Sequence, residues 1–418
     1  MTATASASRL TGTWTFVRFY LRRDRISVAV WLIAFYIFYV AQAASLDNQY
    51  ASAAEFEEAA TTMGGNPAFV AMLGPTRALD TLGGMTAWQI SATGGIAVGL
   101  MSMFLVGRHT RAEEESGRDE LVRSGVVGRL APFAAVTVVV GILNVLVGIV
   151  IALGLSGYGL PSSGSWALGL ATTACGLVFT AVALLSAQLT ETTRAMYGIV
   201  GATIAIAYIL RGVGDVGNGA LSWLSPIGWL QAARPYADER WWPVLLALFA
   251  AIVIVIVALR LLARRDVGSG IFPARPGPGR AGAGMRSALG LAWRLQRGSF
   301  IGWAIGVFLI GVAYGSIGTD VEDIMGSGAS TEIVAQAGGS ITDSFYSTTA
   351  LMMALFASAY AIQAALRARG EESAGRAESL LATRLGRTPW LWSHAIIVVA
   401  GSVVVVGLGG FGSGLMYG

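Results

Sequence analysis

Residues 111–129 read RAEEESGRDELVRSGVVGR, and residues 369–387 read RGEESAGRAESLLATRLGR. At an ungapped offset of 258, Arg111, Glu113, Glu114, Gly117, Arg118, Glu120, Gly128 and Arg129 recur as Arg369, Glu371, Glu372, Gly375, Arg376, Glu378, Gly386 and Arg387. Chance gives about one or two identities over such a stretch, against the 8 in 19 seen here. The chain therefore repeats itself, and each copy is an island of charge between long uncharged runs. A fainter match precedes each copy. Arg22, Arg25 and Trp31 correspond to Arg294, Arg297 and Trp303 at an offset of 272.

The apolar runs around these islands number nine, none with Asp, Glu, Lys or Arg in its middle: 27–45, 86–107, 131–155, 166–188, 195–210, 243–260, 299–317, 345–366 and 394–416. Each approaches the roughly 20 apolar residues that a membrane helix needs. The expected fold is all-α and polytopic: two parallel six-helix repeats, the second incomplete. Residues 1–26 read as a cytoplasmic amphipathic helix and 27–265 as the first half. A Gly/Pro/Arg linker with a second connecting helix follows at 266–298, and the second half occupies 299–418 with three spans. A complete repeat would carry three further helices over about 100 residues. A natural nine-helix protein is the alternative. Ala41-Gln42-Ala43 resembles a signal-cleavage site, but the long Arg-rich stretch before it favours an uncleaved anchor.

Composition agrees. Of 418 residues, 55% are apolar and 12% charged, with a mean hydropathy of +0.64. A soluble enzyme and a disordered chain are both excluded, as is an outer-membrane barrel with its alternating strands. The 55 glycines suit close helix packing in lipid. All 28 basic residues are Arg. With the N-terminus inside, the inner segments hold 24 of these 28 and only 11 of the 24 acids, as the positive-inside rule requires.

Several chemistries lack their residues. Without Lys there is no P-loop lysine. HExxH, CxxC and GxSxG patterns are missing, and the lone Cys175 can form no intrachain disulfide. His109 and His394 both sit near the inner boundary. Gln89, Asn144 and Gln363 are polar but cannot relay protons, so an ion-coupled carrier lacks its usual midplane acids. The Arg clusters read as orientation signals rather than a nucleic-acid patch.

The repeated island has two readings. Glu113, Gly117 and Glu120 share one helical face by spacing, with Glu114 and Arg118 at i, i+4 on an adjacent one. It is either a docking surface for a partner that applies force or a solvated, salt-bridged elbow; its recurrence in both halves favours docking. Residues 8–25 place Trp14, Val17 and Tyr20 among Arg18, Arg22 and Arg25. This pattern suits an anionic membrane surface, a partner, or both. The stretch WLSPIGWLQAARPYADERWWP at 223–243 is either an interfacial aromatic belt or an outer gate. Its three prolines forbid one continuous helix.

The paired R-x-E-E-x-x-G-R-x-E elbows, together with W-L-S-P-I-G-W…R-P-Y-A-D-E-R-W-W-P before the sixth span, resemble the fused permease of the actinobacterial ABC-2-type drug and polyketide-antibiotic exporters. The resemblance runs along essentially the whole chain, save for the missing end of the second half. It implies a transport subunit with no ATPase of its own, paired with two copies of a separate ATPase that carries ATP and Mg²⁺. It implies coupling to that ATPase through Glu113, Glu114, Gly117, Arg118 and Glu120, and through Glu371, Glu372, Gly375, Arg376 and Glu378. It implies connecting helices at Arg18, Arg22 and Arg25 and at Arg294 and Arg297, and a hydrophobic or amphipathic cargo. A secondary multidrug carrier and a non-transport scaffold or sensor are the competing classes.

Overall fold

The computed structural model describes residues 9–50, 52–64, 67–117, 127–266, 268–272, 279–280, 282–318 and 341–417. They divide into two compact units, Met1–Arg275 and Pro276–Gly418. Among the described residues, nine helices are long and apolar enough to cross a membrane, and no strand occurs. Arg118, Glu120, residues 267, 273–278 and 281 of the expected 266–298 linker region, and residues 319–340 lie outside the described residues.

The first unit opens with α1 (Thr13–Arg23), started by Gly12 in the left-handed region at φ 88°. The chain bends at Asp24 and continues as α2 (Arg25–Gln49). Two short helices, α3 (Ala53–Gly64) and α4 (Pro67–Leu73), lead to α5 (Leu82–His109). Thr81 caps α5 by accepting from the Gly84 amide at 3.1 Å. Thr110, at φ −119° and ψ −93°, breaks the helix before the single turn α6 (Arg111–Glu115).

Four long helices complete this unit: α7 (Ala131–Tyr158), α8 (Ser162–Leu189), α9 (Thr193–Val216) and, after the short α10 (Pro226–Ala232), α11 (Trp242–Arg264). The helices α5 and α8 are the most enclosed, while α2 and α11 bury little of their surface. In lipid the hydrophobic effect does not drive helices together, so small residues and internal hydrogen bonds must do so. Gly148 of α7 lies so close to Gly169 of α8 that a Cβ there would stand 2.5 Å from the Gly169 carbonyl oxygen. The buried Asn144 amide donates to the Thr180 hydroxyl at 3.1 Å and the Ser102 hydroxyl at 3.3 Å, joining α7, α8 and α5. Asn144 is the most buried of the three polar span residues noted in the sequence.

The 223–243 stretch is broken as its prolines require. Ser225 caps α10, Pro226 opens it, and Ile227 and Leu230 are buried, so protein covers the irregular backbone. Trp223 stacks on Trp242 at 4.8 Å between ring centroids. Tyr236, at φ 62°, seats its ring against Gly83 and Gly164, where any side chain would collide with it.

The second unit contains α12 (Ala288–Gly318), α13 (Ile341–Ser373), the short α14 (Arg376–Leu381) and α15 (Arg387–Tyr417). Its core gathers Val307, Met353, Tyr360 and Val405. Gly311 and Gly315 of α12 abut the backbone of Gly409 and Ser413 on α15. Here the described residues differ from expectation: residues 288–298 are continuous with the span that follows rather than a separate connecting helix. Arg294 and Arg297 stand in the first turns of the uninterrupted α12. The residue at the place of Asp24 is Gln296, a good helix former, whereas Asp favours breaks and caps.

Candidate coupling site

The first elbow is a knot of ion pairs at one end of the first unit. Arg111 is wholly buried and donates through Nε to the Ala187 carbonyl at 2.5 Å, through Nη1 to Glu114 Oε2 at 2.8 Å and through Nη2 to the Ser269 carbonyl at 3.1 Å. Arg265, just past α11, reaches the same carboxylate, with Nη2 at 2.6 Å from Oε1 and Nη1 at 3.1 Å from Oε2. Its Nε donates to the Gln188 side chain at 2.8 Å. Arg129 donates to the carbonyls of Arg265 at 2.8 Å and Leu262 at 3.2 Å, closing the end of α11.

Three consecutive glutamates therefore hold three different elements. Glu113 accepts from Arg23 of α1 at 2.5 Å. Glu114 holds the end of α11. Glu115 accepts from the Thr193 amide and hydroxyl, both at 2.8 Å, and so caps the start of α9. α6 is thereby bonded to α1, to the start of α9 and to the end of α11.

α1 is fastened to the elbow at both ends. Near its start, the Gly128 and Leu130 amides donate to the Thr11 and Arg9 carbonyls at 2.9 and 3.0 Å. At its end, Asp24 contacts His109 and lies 3.2 Å from the Arg108 guanidinium. Burial works to raise the Asp24 carboxyl, but the His109 hydrogen bond and the charges of His109, Arg108 and Arg23 outweigh it and hold it below its ordinary range. Between α1, α6 and the start of α7 lies a small crevice of about 70 Å³ walled by Phe16, Tyr20 and Phe133.

Glu113 and Gly117 do not share the helical face expected of them, and Glu120, the third member, lies outside the described residues. The helix ends at Glu115, and Gly117 turns the chain at φ 71°. In the second elbow Gly375 does the same at φ 69°. A left-handed residue at the same place in both copies explains why Gly recurs there. Glu371 is buried and gripped by Arg376 at 2.6 Å and Arg367 at 2.9 Å. The partnership with Glu371 raises the Arg376 guanidinium. Glu372 and Glu378 are exposed.

The connecting-helix arginines face outward. Arg18 lies over the exposed Trp14 ring at 5.6 Å, Arg22 and Arg25 are exposed, and so are Arg294 and Arg297. The sequence reading did not assign Arg23, Asp24, His109, Arg111, Glu115 or Arg265 to the site. Arg111 carried a signal in its recurrence as Arg369, yet Arg369 is exposed where Arg111 is buried. Nothing local marks Arg265, because its partner lies 151 residues away.

The second unit and the chain as a whole both have relatives. The family described as "Multidrug efflux system permease Rv1217c, C-terminal domain" matches residues 285–418. The multidrug efflux system permease protein Rv1217c of Mycobacterium tuberculosis (strain ATCC 25618 / H37Rv) is 39% identical over 415 residues, covering 98% of this chain and 75% of that relative.

Proposed function

The chain belongs to the family of multidrug efflux permeases, of the ABC-2-type exporter class, and from that premise we propose that it is the membrane subunit of an ATP-driven exporter. It is a multi-pass membrane protein. In this reading the elbows face the cytoplasm, the arginine-rich side. A separate ATPase, in two copies, docks on them and supplies ATP and Mg²⁺. The cargo is a hydrophobic or amphipathic compound. Closure of the ATPase pair pushes on the two elbows, and the helices open an outward path by alternating access.

The observation that carries this reading is the knot at 111–115. A solvated turn has no need of a wholly buried arginine and three carboxylates each bonded to a different element. Such a knot suits a handle, because force applied to α6 reaches α1, α9 and α11 through charged hydrogen bonds. The glutamates then serve by tying the handle to the bundle, and the exposed Glu372, Glu378 and Ser116 offer surface to a partner. The permease is tested by purifying the chain from its native membrane. A co-purifying ATPase whose hydrolysis rises with a hydrophobic drug supports the reading. Efflux that collapses with an uncoupler at constant ATP, with no ATPase retained, points to a secondary carrier and overturns it.

A further inference from the structure

The two elbows are built differently where they meet the residues that precede the first span of each half. In the first half, Asp24 and His109 are both buried, with side chains 1% and 0% exposed, and bond to each other. The Tyr20 ring lies 4.3 Å from the imidazole, and Arg108 and Arg23 complete the charge around the bend. Two partners removed from water in this way resist separation, because a buried carboxylate and a buried imidazole nitrogen would each be left without a partner. Together with Arg23–Glu113 and the backbone bonds at Thr11 and Arg9, they fix α1 to the elbow along its length.

In the second half Arg23, Asp24 and His109 are all replaced, while Glu113 is kept as Glu371. At the repeat offsets, Leu295 stands for Arg23, Gln296 for Asp24 and Arg367 for His109. Gln296 bonds instead to His394 of α15 at 3.0 Å, and Arg367 turns to Glu371 within its own elbow. Among the described residues, no hydrogen bond or ion pair joins α12 to residues 367–381.

We propose that the two elbows are mechanically unequal. Asp24 and His109 are positioning residues that make the first elbow and its connecting helix one rigid piece, whereas the second elbow moves against α12. The consequence for transport rests on the coupling role proposed above: a push on the first elbow carries α1 with it, and a push on the second is not shared with α12 in that way. The geometric claim stands apart from the identity of any partner.

The test uses the full chain in lipid nanodiscs, with Cys175→Ala and paired spin labels. One pair sits at Thr15→Cys and Ser116→Cys, the other at Arg297→Cys and Ser373→Cys; all four positions are exposed. The first pair is expected to give one narrow distance, and the second a distribution at least about twofold wider. Placing the second half's residues in the first, as D24Q/H109R, should widen the first distribution by a similar factor. The exchanged pair D24H/H109D restores a carboxylate–imidazole pair and should narrow it again, which a residue acting only through general stability would not do. Equal widths for the two pairs in the chain without clamp variants overturn the proposal, as does a first pair left unchanged by D24Q/H109R. The second pair reports whether each variant has folded. No ATPase is needed, so a failure here is separate from a failure of co-purification.

Discussion

Arg265 and Glu114, 151 residues apart, face each other with two guanidinium nitrogens on two carboxylate oxygens at 2.6 and 3.1 Å. The pair closes the first unit on itself. It joins the turn after the second span to the end of the sixth, and both side chains are largely withdrawn from solvent. Replacing Arg265 with Ala leaves Glu114 half-buried with Arg111 as its remaining cation. Loss of one partner of such a pair costs about 3 kcal/mol. The melting temperature of the purified protein should fall clearly for Arg265→Ala and less for Glu114→Gln, which keeps a hydrogen-bonding group. Identical melting curves for wild type and Arg265→Ala would mean that the pair does not form.

Glu115 caps α9 through the Thr193 amide and hydroxyl. Removal of a cap costs about 1 kcal/mol. Hydrogen exchange at the first turn of α9, from Thr193 to Met196, should therefore quicken about fivefold in Glu115→Ala, while exchange in the middle of α8 stays as it was.

Much of this was legible beforehand, and the rest was not for definite reasons. The nine spans follow from length and apolarity, and the elbows follow from their duplication. The helix end at Glu115 was misjudged because charge spacing was read as a continuous helix; the glycine at 117 was the available warning. The bend at Asp24 and its lack at Gln296 differ by one side chain whose significance depends on His109, a tertiary fact. Arg111 and Arg265 looked like orientation signals, since positive-inside arginines and buried structural arginines are the same letter in a sequence.

Close packing of α7 on α8 makes Gly148 intolerant of a side chain, whereas Gly157 of α7 has open space around it. Gly148→Leu should force the two helices apart and reduce the yield of monodisperse protein severalfold, since overpacking of a tight contact costs about 1–3 kcal/mol. Gly157→Leu should purify like wild type. Size-exclusion chromatography of the two variants in one detergent decides the comparison.

Asp24 has its carboxyl held below the ordinary carboxylate range. A group depressed on folding contributes stability that is fully present above its unfolded value, about 3.9, and that disappears as pH falls through the folded value. Asp24→Asn should therefore melt at a lower temperature than wild type at pH 6, and the gap should shrink as pH is lowered below about 4. A gap that widens on acidification would show that the carboxylate is not stabilised by its neighbours.

The central claim is that both elbows are the handles by which an ATPase moves this permease. Its most direct measurement is cross-linking in native membranes, using the Cys175→Ala chain with a single cysteine at Ser116 or at Ser373, both exposed at the elbows. The expected result is an adduct between each elbow and the same ATPase subunit, with a yield that changes when ATP is added. Export that continues while neither elbow cross-links to any ATPase, or labelling of either cysteine by a reagent confined to the outer side, would contradict it.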